Sequence, residues 1–292
     1  MSGYIIPIAF VAMLSFAVSD TLTKGMVFKV GKQKLALYIL GFGLLPVAAF
    51  YFMAPEPAVP FPIIALSILV GIAFGIADIL FYKTFETEQI TTTAVLSELP
   101  PAFLIILGIA AFGEKLSAIN ALGMLIIFTG AVLVMKKNGF SINRLVLPAV
   151  AAFCIWTIYW VAMAYAISIT GNYTEPIAIV RLAGFFTVAM CVLFLPSKEK
   201  MPKANLNVAR SILYSLPSIM LVAVGGILDG LGNILYGADI GMGAIAISSA
   251  IVALVPLAIG ITGRIFYKDR LSSLQLIGFA MMVIGAIAIS FA

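Results

Sequence analysis

The chain has 292 residues, of which 63% are hydrophobic and only 10% charged, and its formal net charge is +5. Soluble domains carry roughly 25% charged residues, so this composition and a mean hydropathy of +1.18 exclude an ordinary soluble domain. The basic residues lie in short loops beside apolar runs, which does not indicate a nucleic-acid partner. The sequence contains no histidine, which excludes a Ser-His-Asp triad and a histidine-ligated metal.

Ten apolar runs follow one another along the chain, and each is close to the ~20 residues with which a helix crosses a bilayer. They cover residues 4–23, 35–54, 62–82, 93–112, 118–135, 145–168, 176–195, 212–236, 242–263 and 273–291. Membrane strands would be about 10 residues long and would alternate apolar with polar side chains. The sequence therefore predicts an all-α integral membrane protein with ten transmembrane helices, numbered here as spans 1–10.

Spans 1 and 3 carry acidic side chains near their ends. Asp20 precedes Lys24 by four residues in span 1, so the two share a helix face and can form a pair. Asp78 lies in the last third of span 3, one turn before Tyr82. Charged residues within a membrane usually face protein or a wet cavity, so these residues are candidates for binding a substrate or ion. Placement at the membrane interface is the alternative for Asp20.

Span 4 combines an acidic residue with prolines. Glu98 precedes Pro100 and Pro101, which remove backbone donors from the helix and can bend it. An acid beside an interrupted helix is a candidate site for a proton or another cation. Alternatively, Glu98 caps the freed backbone groups or pairs with a lysine.

Span 6 has an aromatic cluster at its middle, formed by Trp156, Tyr159 and Trp160. Interfacial belts explain aromatic residues near the ends of spans but not at their centres. The cluster either packs between helices or forms a wall that binds an organic substrate, including through cation–π contacts.

Spans 7 and 8 place a base opposite an acid. Arg181 lies early in span 7, and Asp229 and Asn233 lie four residues apart in span 8 among several glycines. We predict that Arg181 and Asp229 form an ion pair that lines the outer half of a cavity. The alternative is an ion pair that only locks the helices together.

The two halves of the chain repeat one another at a fixed offset of 155 positions. Gly71, Gly75, Asp78, Pro101, Gly108, Gly123 and Gly130 recur as Gly226, Gly230, Asn233, Pro256, Gly263, Gly278 and Gly285. A fixed offset indicates an internal duplication, here of residues 1–140 and 141–292. Five helices per repeat is an odd number, so the second repeat is predicted to be inverted relative to the first. The glycine pairs four residues apart are predicted to allow close helix packing.

The basic residues predict the orientation in the membrane. Of the 17 lysines and arginines, only Lys115 and Arg181 do not lie in or beside the loops after spans 1, 3, 5, 7 and 9. The positive-inside rule then makes those loops cytoplasmic and places both termini outside. The expected location is the plasma or inner membrane.

A sequence motif at spans 4 and 5 indicates a family. The motif residues are Ser97-Glu98-Leu99-Pro100-Pro101, Gly113-Glu114-Lys115-Leu116-Ser117, Gly123 and Gly130. In this segment the chain resembles the drug/metabolite transporter superfamily, particularly its ten-helix EamA-type members. The second copy, Lys268-Asp269-Arg270-Leu271-Ser272, replaces Gly-Glu with Lys-Asp. Arg181 also resembles an arginine that the family often has in the seventh helix.

The resemblance implies two inverted five-helix bundles around a central cavity, with export or exchange of small metabolites by alternating access. Family members of this size usually have both termini in the cytoplasm, which is the opposite of the orientation that the charges predict. Residues 54–57, between spans 2 and 3, lack the basic residues that the family has there. We therefore retain the orientation from the charge rule.

A secondary active transporter accounts for the duplication, the spans and the buried acids together. The alternatives are a channel or a lipid-moving carrier of the same fold, whereas an intramembrane enzyme lacks a recognisable catalytic constellation. Buried acids outnumber buried bases, which favours cationic or zwitterionic solutes such as amines or amino acids. The expected partners are this solute, a coupling proton or cation, and membrane lipids, and we expect no cofactor, no metal and a monomer or homodimer.

Overall fold

A computed structural model describes residues 4–53, 57–86, 99–115, 117–135, 146–195, 211–243, 245–268 and 272–290. These residues are almost entirely helical, and no strand occurs among them. In chain order the helices are α1 (Ile5–Lys24), α2 (Val27–Val30), α3 (Lys32–Met53), α4 (Phe61–Thr84), α5 (Leu99–Ala110), α6 (Ala118–Met135), α7 (Val146–Thr170), α8 (Thr174–Phe194), α9 (Ile212–Ser215), α10 (Ser218–Gly241), α11 (Ile245–Val252), α12 (Val255–Tyr267) and α13 (Ser273–Ser290).

Within the described ranges, seven helical stretches are long and apolar enough to cross a membrane, namely α1, α3, α4, α7, α8, α10 and α11 together with α12. Two shorter apolar helices lie within α6 and α13. The predicted class of all-α membrane protein is therefore confirmed. The count of ten spans stays a prediction, because only residues 99–112 of span 4 are described and only the 12 residues of α5 among them are helical.

Prolines change two of the predicted spans. Span 8 was predicted to begin at residue 212, but α10 begins at Ser218, directly after Pro217, and α9 is a separate turn. Span 9 is divided into α11 and α12, with Pro256 in the first turn of α12. Proline has no N–H to donate back along a helix and suits the first helical turn. Both breaks therefore follow from the loss of one backbone hydrogen bond.

Glycines bring α4 and α8 into backbone contact. A Cβ atom on Gly71 would lie 2.5 Å from the carbonyl oxygen of Val180, and one on Gly75 would lie 2.6 Å from that of Gly184. The predicted packing role of this glycine pair is therefore confirmed. Because the residue numbers rise together along the contact, α4 and α8 run parallel.

The contact between α10 and α3 has the same form. A Cβ atom on Gly226 would lie 2.9 Å from the carbonyl oxygen of Ile39, and one on Gly230 would overlap the backbone of Gly43. Here too the residue numbers rise together. Gly226 and Gly230 lie 155 positions after the glycines of α4, so one kind of contact occurs twice between the halves.

α6 and α13 run antiparallel to each other. A Cβ atom on Gly123 would lie 2.8 Å from the carbonyl oxygen of Gly285, whereas one on Gly130 would lie 2.5 Å from that of Gly278. The residue numbers fall on one helix as they rise on the other. Gly123 and Gly130 match Gly278 and Gly285 in the predicted duplication, so the two segments that it would relate run in opposite directions where they meet.

Glu114, in the loop between α5 and α6, caps the start of α11. Its Oε1 accepts a hydrogen bond from the Ile245 N–H at 2.6 Å, and its Oε2 accepts one from the Ala246 N–H at 2.8 Å. The first amides of a helix have no partner within the helix and form the positive end of its dipole, so a carboxylate is stabilised there. The acid of the Gly-Glu-x-Leu-Ser motif therefore joins the two halves. Its counterpart in the repeat, Asp269, lies outside the described residues.

We expect Glu114→Ala to lower the free energy of unfolding by about 1–2 kcal/mol, because two backbone donors lose their acceptor. Glu114→Gln keeps one acceptor oxygen and should cost less. The measurement is thermal unfolding of the purified protein in detergent. The adjacent and exposed Lys115 provides the matched control, Lys115→Ala, which should unfold as the wild type does. An unchanged unfolding temperature for Glu114→Ala would contradict a stabilising cap.

Candidate functional site

A cavity of about 100 Å³ lies between the two halves of the chain, well above the ~15 Å³ that one water molecule needs. Its walls come from α1, α4, α7, α10 and the break between α11 and α12. Seven of the residues singled out from the sequence line this cavity: Asp20, Asp78, Tyr82, Trp156, Trp160, Asp229 and Asn233. Side chains that are far apart in the sequence are thus brought together at one place.

Three carboxylates share the cavity. Asp20, Asp78 and Asp229 come from α1, α4 and α10 and are close enough to repel one another. The guanidinium of Arg181 acts on both Asp78 and Asp229. When all three acids are ionised, this one guanidinium leaves the site with an excess of negative charge. The cavity is therefore suited to a positively charged group.

Arg181 forms an ion pair with Asp229 from a buried position outside the cavity wall. Its Nη2 donates to Oδ2 of Asp229 at 2.6 Å, and the side chains are 0% and 24% exposed, respectively. The predicted ion pair is therefore present. The predicted lining position of Arg181 is wrong, because its side chain is fully buried and does not belong to the cavity wall. The reason is Gly43 on α3, whose missing Cβ leaves the space that the guanidinium fills.

Tyr159 also lies behind the cavity wall rather than in it. It is fully buried, and its hydroxyl donates to Oδ1 of Asn233 at 3.1 Å. The amide nitrogen of Asn233 in turn donates to the backbone oxygen of Asp229 at 2.9 Å. Tyr159 therefore fixes the orientation of a cavity side chain, and of the two alternatives for this residue the structure shows packing between helices.

The two tryptophans form part of an aromatic wall. Trp156 lies 4.8 Å from Phe81 between ring centroids, and Trp160 lies 4.4 Å from Tyr236. The indole of Trp156 also faces the carboxylate of Asp78. Packing and cavity lining, which were alternatives for the sequence, thus occur together at these two residues.

The remaining members of the wall were missed from the sequence: Phe16, Phe74, Phe81, Tyr236, Val252 and Val255. The duplication contained a signal for some of them. Phe74 lies 155 positions before Asp229, and Phe81 lies 155 positions before Tyr236. The same two helix positions therefore line the cavity in both halves of the chain. They are Phe74 and Phe81 in the first half and Asp229 and Tyr236 in the second.

The carboxyl-terminal end of α1 packs against the end of α12. Lys24 is buried, and its Nζ lies 5.4 Å from the centroid of the Tyr267 ring. The hydroxyl of Tyr267 donates to the backbone oxygen of Thr21 at 2.8 Å. The predicted pair between Asp20 and Lys24 stays a prediction. Glu98, the candidate in span 4, lies outside the described residues.

Membrane-length helices around a cavity lined by charged side chains are typical of a solute carrier, and a sequence comparison points to the same class of protein. Residues 3–136 match the model of the EamA-like transporter family. The matched segment covers just under half of the chain, and the EamA-like family is the one that the motif at spans 4 and 5 predicted. Together with the long apolar helices, this match indicates a multi-pass membrane protein of the transporter type.

The fold is shared with a solved structure. The chain aligns over 99% of its length with 99% of a chain described as "Crystal structure of protein", with a TM-score of 0.73 and 18% sequence identity. At this identity the similarity shows a common fold. No curated protein is significantly similar to the chain in sequence.

Proposed function

We propose that the chain is a secondary active transporter that exports or exchanges small organic metabolites by alternating access around the central cavity. The match of residues 3–136 to the EamA-like transporter family supports transport as such. The remaining parts of the proposal, a central binding site and a small organic solute, rest on the position of Asp20, Asp78 and Asp229 in one cavity. A charge within a membrane costs on the order of 3 kcal/mol on insertion scales, so three acids at one place have a function that offsets this cost.

The architecture that we propose consists of ten helices in two inverted repeats, residues 1–140 and 141–292. The antiparallel contact of α6 with α13 supports inversion, because a repeat in the same orientation would place corresponding helices parallel. The paired contacts of α4 with α8 and of α3 with α10 support it further. Each joins the third helix of one repeat to the second helix of the other in the parallel direction that inversion requires.

Inversion provides the mechanism. The axis that relates two inverted repeats lies in the membrane plane, so a rocking motion converts one state into another with similar packing. The cavity lies between the halves, where such a motion would expose it to each side in turn. No ATP-binding motif occurs in the sequence. We infer that a gradient of the solute or of a coupling cation supplies the energy.

The substrate that suits the cavity is a small organic cation or zwitterion, such as an amine or an amino acid. Asp78 and Asp20 offer carboxylates to an ammonium group, and Trp156 and Trp160 offer aromatic faces that attract cations. A coupling proton or cation would compete for the same acids. Such competition converts a downhill flow of one species into uphill movement of the other.

The protein is proposed to lie in the plasma or inner membrane as a monomer or homodimer, with both termini outside the cytoplasm. The asymmetry of the basic loops supports this orientation. Labelling of single cysteines placed next to Tyr4 by an impermeant maleimide on intact cells tests it. Protection of that position would support the opposite orientation.

Counterflow in proteoliposomes tests the transport function. A thermal-shift screen of amines and amino acids first selects a ligand, because a compound that binds the folded state raises its apparent stability. We expect saturable exchange of the labelled ligand, and we expect Asp78→Asn to slow that exchange at least ~10-fold, about 1.4 kcal/mol. Thr129→Ala on exposed α6 serves as the control. Flux that rises without saturation would indicate a channel and overturn the proposal.

A further inference from the structure

A second buried carboxylate lies outside the central cavity. Asp239 is in the last turn of α10 and its side chain is 0% exposed. Among the residues that the structure describes, neither of its carboxylate oxygens has a hydrogen-bond partner. It is not part of the cavity wall. Asp239 follows Asp229 by ten residues on the same helix, which corresponds to about 15 Å at 1.5 Å per residue.

Ser248 on α11 faces this carboxylate. Its hydroxyl is also fully buried, and within the described part of the chain it makes no hydrogen bond of regular geometry. A carboxylate has acceptor sites on two oxygens, so rotation of this one hydroxyl would satisfy only one of them. Two buried, unpartnered polar side chains thus face each other at the junction of α10 and α11.

The backbone around Asp239 adds further negative potential. The N–H of Met242 is shared by the carbonyl oxygens of Ala238 and Asp239, at 3.0 and 3.1 Å, and the N–H of Gly243 donates to that of Ile240 at 3.0 Å. The carboxyl end of a helix carries the negative end of its dipole and favours cations. These carbonyl oxygens and the two side chains are oxygen donors of the kind that hard cations bind.

The neighbouring ionisable groups do not compensate the charge. The hydroxyl of Tyr236 is bonded to Ser249 at 2.6 Å, and Glu114 is occupied by the first amides of α11. Tyr173, on the side of α8, lies against Gly237 and Gly241. Within the described part of the chain, no basic side chain forms an ion pair with Asp239. A buried charge of this kind must be paired, coordinated or neutralised.

We propose that Asp239 and Ser248 form a second cation site, separate from the central cavity, that is occupied by a proton or by a small monovalent cation such as Na⁺. Either cation neutralises the carboxylate. A metal ion would in addition bind the Ser248 hydroxyl, whereas a proton would need only Asp239. This difference distinguishes the two ligands experimentally.

The site is joined to the cavity through α11. Ser249, adjacent to Ser248, binds Tyr236 of the cavity wall, and Val252 at the end of α11 lines the cavity. A cation shared by Asp239 and Ser248 would tie α11 to α10, and its release would free α11 to move. This coupling to transport rests on the proposed function, whereas the existence of the cation site does not.

Thermal unfolding of the purified full-length protein tests the site without knowledge of the solute. NaCl is titrated against choline chloride at constant ionic strength, and separately the pH is varied without Na⁺. The difference between wild type and Asp239→Asn isolates Asp239, because the cavity acids are common to both. For a Na⁺ site we expect the wild-type Tm to rise by about 5 °C with saturating Na⁺ and that of Asp239→Asn to stay constant. For a proton site, the wild type should lose stability relative to Asp239→Asn as the pH rises.

Two serine variants make the test independent of how well Asp239→Asn folds. Ser248→Ala should weaken the apparent Na⁺ affinity about tenfold, and in the case of a proton site it should leave the pH response unchanged. Ser249→Ala removes the neighbouring hydroxyl and should respond to Na⁺ as the wild type does.

Identical responses of wild type and Asp239→Asn to both Na⁺ and pH would overturn the cation site. A Na⁺ response that Ser248→Ala and Ser249→Ala share equally would overturn the two-residue site. A confirmed site together with absent counterflow would refute transport but leave this site intact.

Discussion

Asp229→Asn is expected to lower the free energy of unfolding by about 3 kcal/mol or more, because breaking a buried ion pair leaves an uncompensated charge. That charge is the guanidinium of Arg181, which is 0% exposed, whereas the Asp229 side chain is 24% exposed in the cavity. Arg181→Met should therefore cost less than Asp229→Asn, since the carboxylate that it leaves behind keeps access to the cavity. Chemical denaturation of the purified protein measures both differences.

The double variant Arg181→Met/Asp229→Asn separates structure from function. Removing both charges eliminates the buried unpaired guanidinium, so we expect stability to return to within about 1 kcal/mol of the wild type. Counterflow should still be slowed at least ~10-fold, as for Asp78→Asn, because the cavity has lost one of its three carboxylates. Recovery of both stability and exchange would show that the pair only locks the helices. Wild-type stability and activity for Asp229→Asn alone would contradict any role for the pair.

The fold class followed from the sequence because it depends on properties that add up along the chain. Runs of apolar residues near bilayer length require helices, since isolated backbone groups cannot be left unpaired in lipid. The glycine pairs at Gly71 and Gly226 were also correctly interpreted as packing positions, because spacing alone puts both members of a pair on one helix face. The fixed offset of 155 residues related the contacts of the two halves.

The candidate site was predictable in its charged members and less so in its neutral ones. Asp78 and Asp229 were found because a charge within an apolar run is conspicuous, whereas Phe16 has no such signal among the 21 phenylalanines of the chain. The exclusion of Arg181 from the wall depends on the space beside Gly43 on another helix. Likewise, the amides that Glu114 caps follow it by 131 and 132 positions in the sequence. Only tertiary packing brings these amides to the Glu114 carboxylate.

Asp239 was overlooked because its position near the end of a span suggests solvent rather than burial. Acidic residues at the ends of spans are normally explained by the interface. The structure buries this side chain beside Ser248 of α11. The chemistry of this residue thus depends on how two helices meet and not on where it lies in the sequence.

Gly230→Ala is expected to prevent stable folding or to lower the free energy of unfolding by about 3 kcal/mol. The added methyl group would overlap the backbone of Gly43, and a backbone cannot rotate away as a side chain can, so α3 and α10 must separate. Gly43 also forms the space for Arg181, and this separation should therefore disrupt the ion pair with Asp229. The measurements are the yield of monodisperse protein and its unfolding temperature.

Gly241→Ala on the same helix is the matched control. A Cβ atom there would lie 3.5 Å from a side-chain carbon of Ile167, which is an ordinary contact, and alanine favours helix over glycine by up to about 1 kcal/mol. We expect this variant to be neutral or slightly more stable than the wild type.

Gly75→Ala, at the corresponding position of α4, should be as damaging as Gly230→Ala because its methyl group would meet the backbone of Gly184. If Gly230→Ala and Gly241→Ala unfolded at the same temperature, the close approach of α3 to α10 would be refuted, and with it one of the two parallel contacts that support inverted repeats.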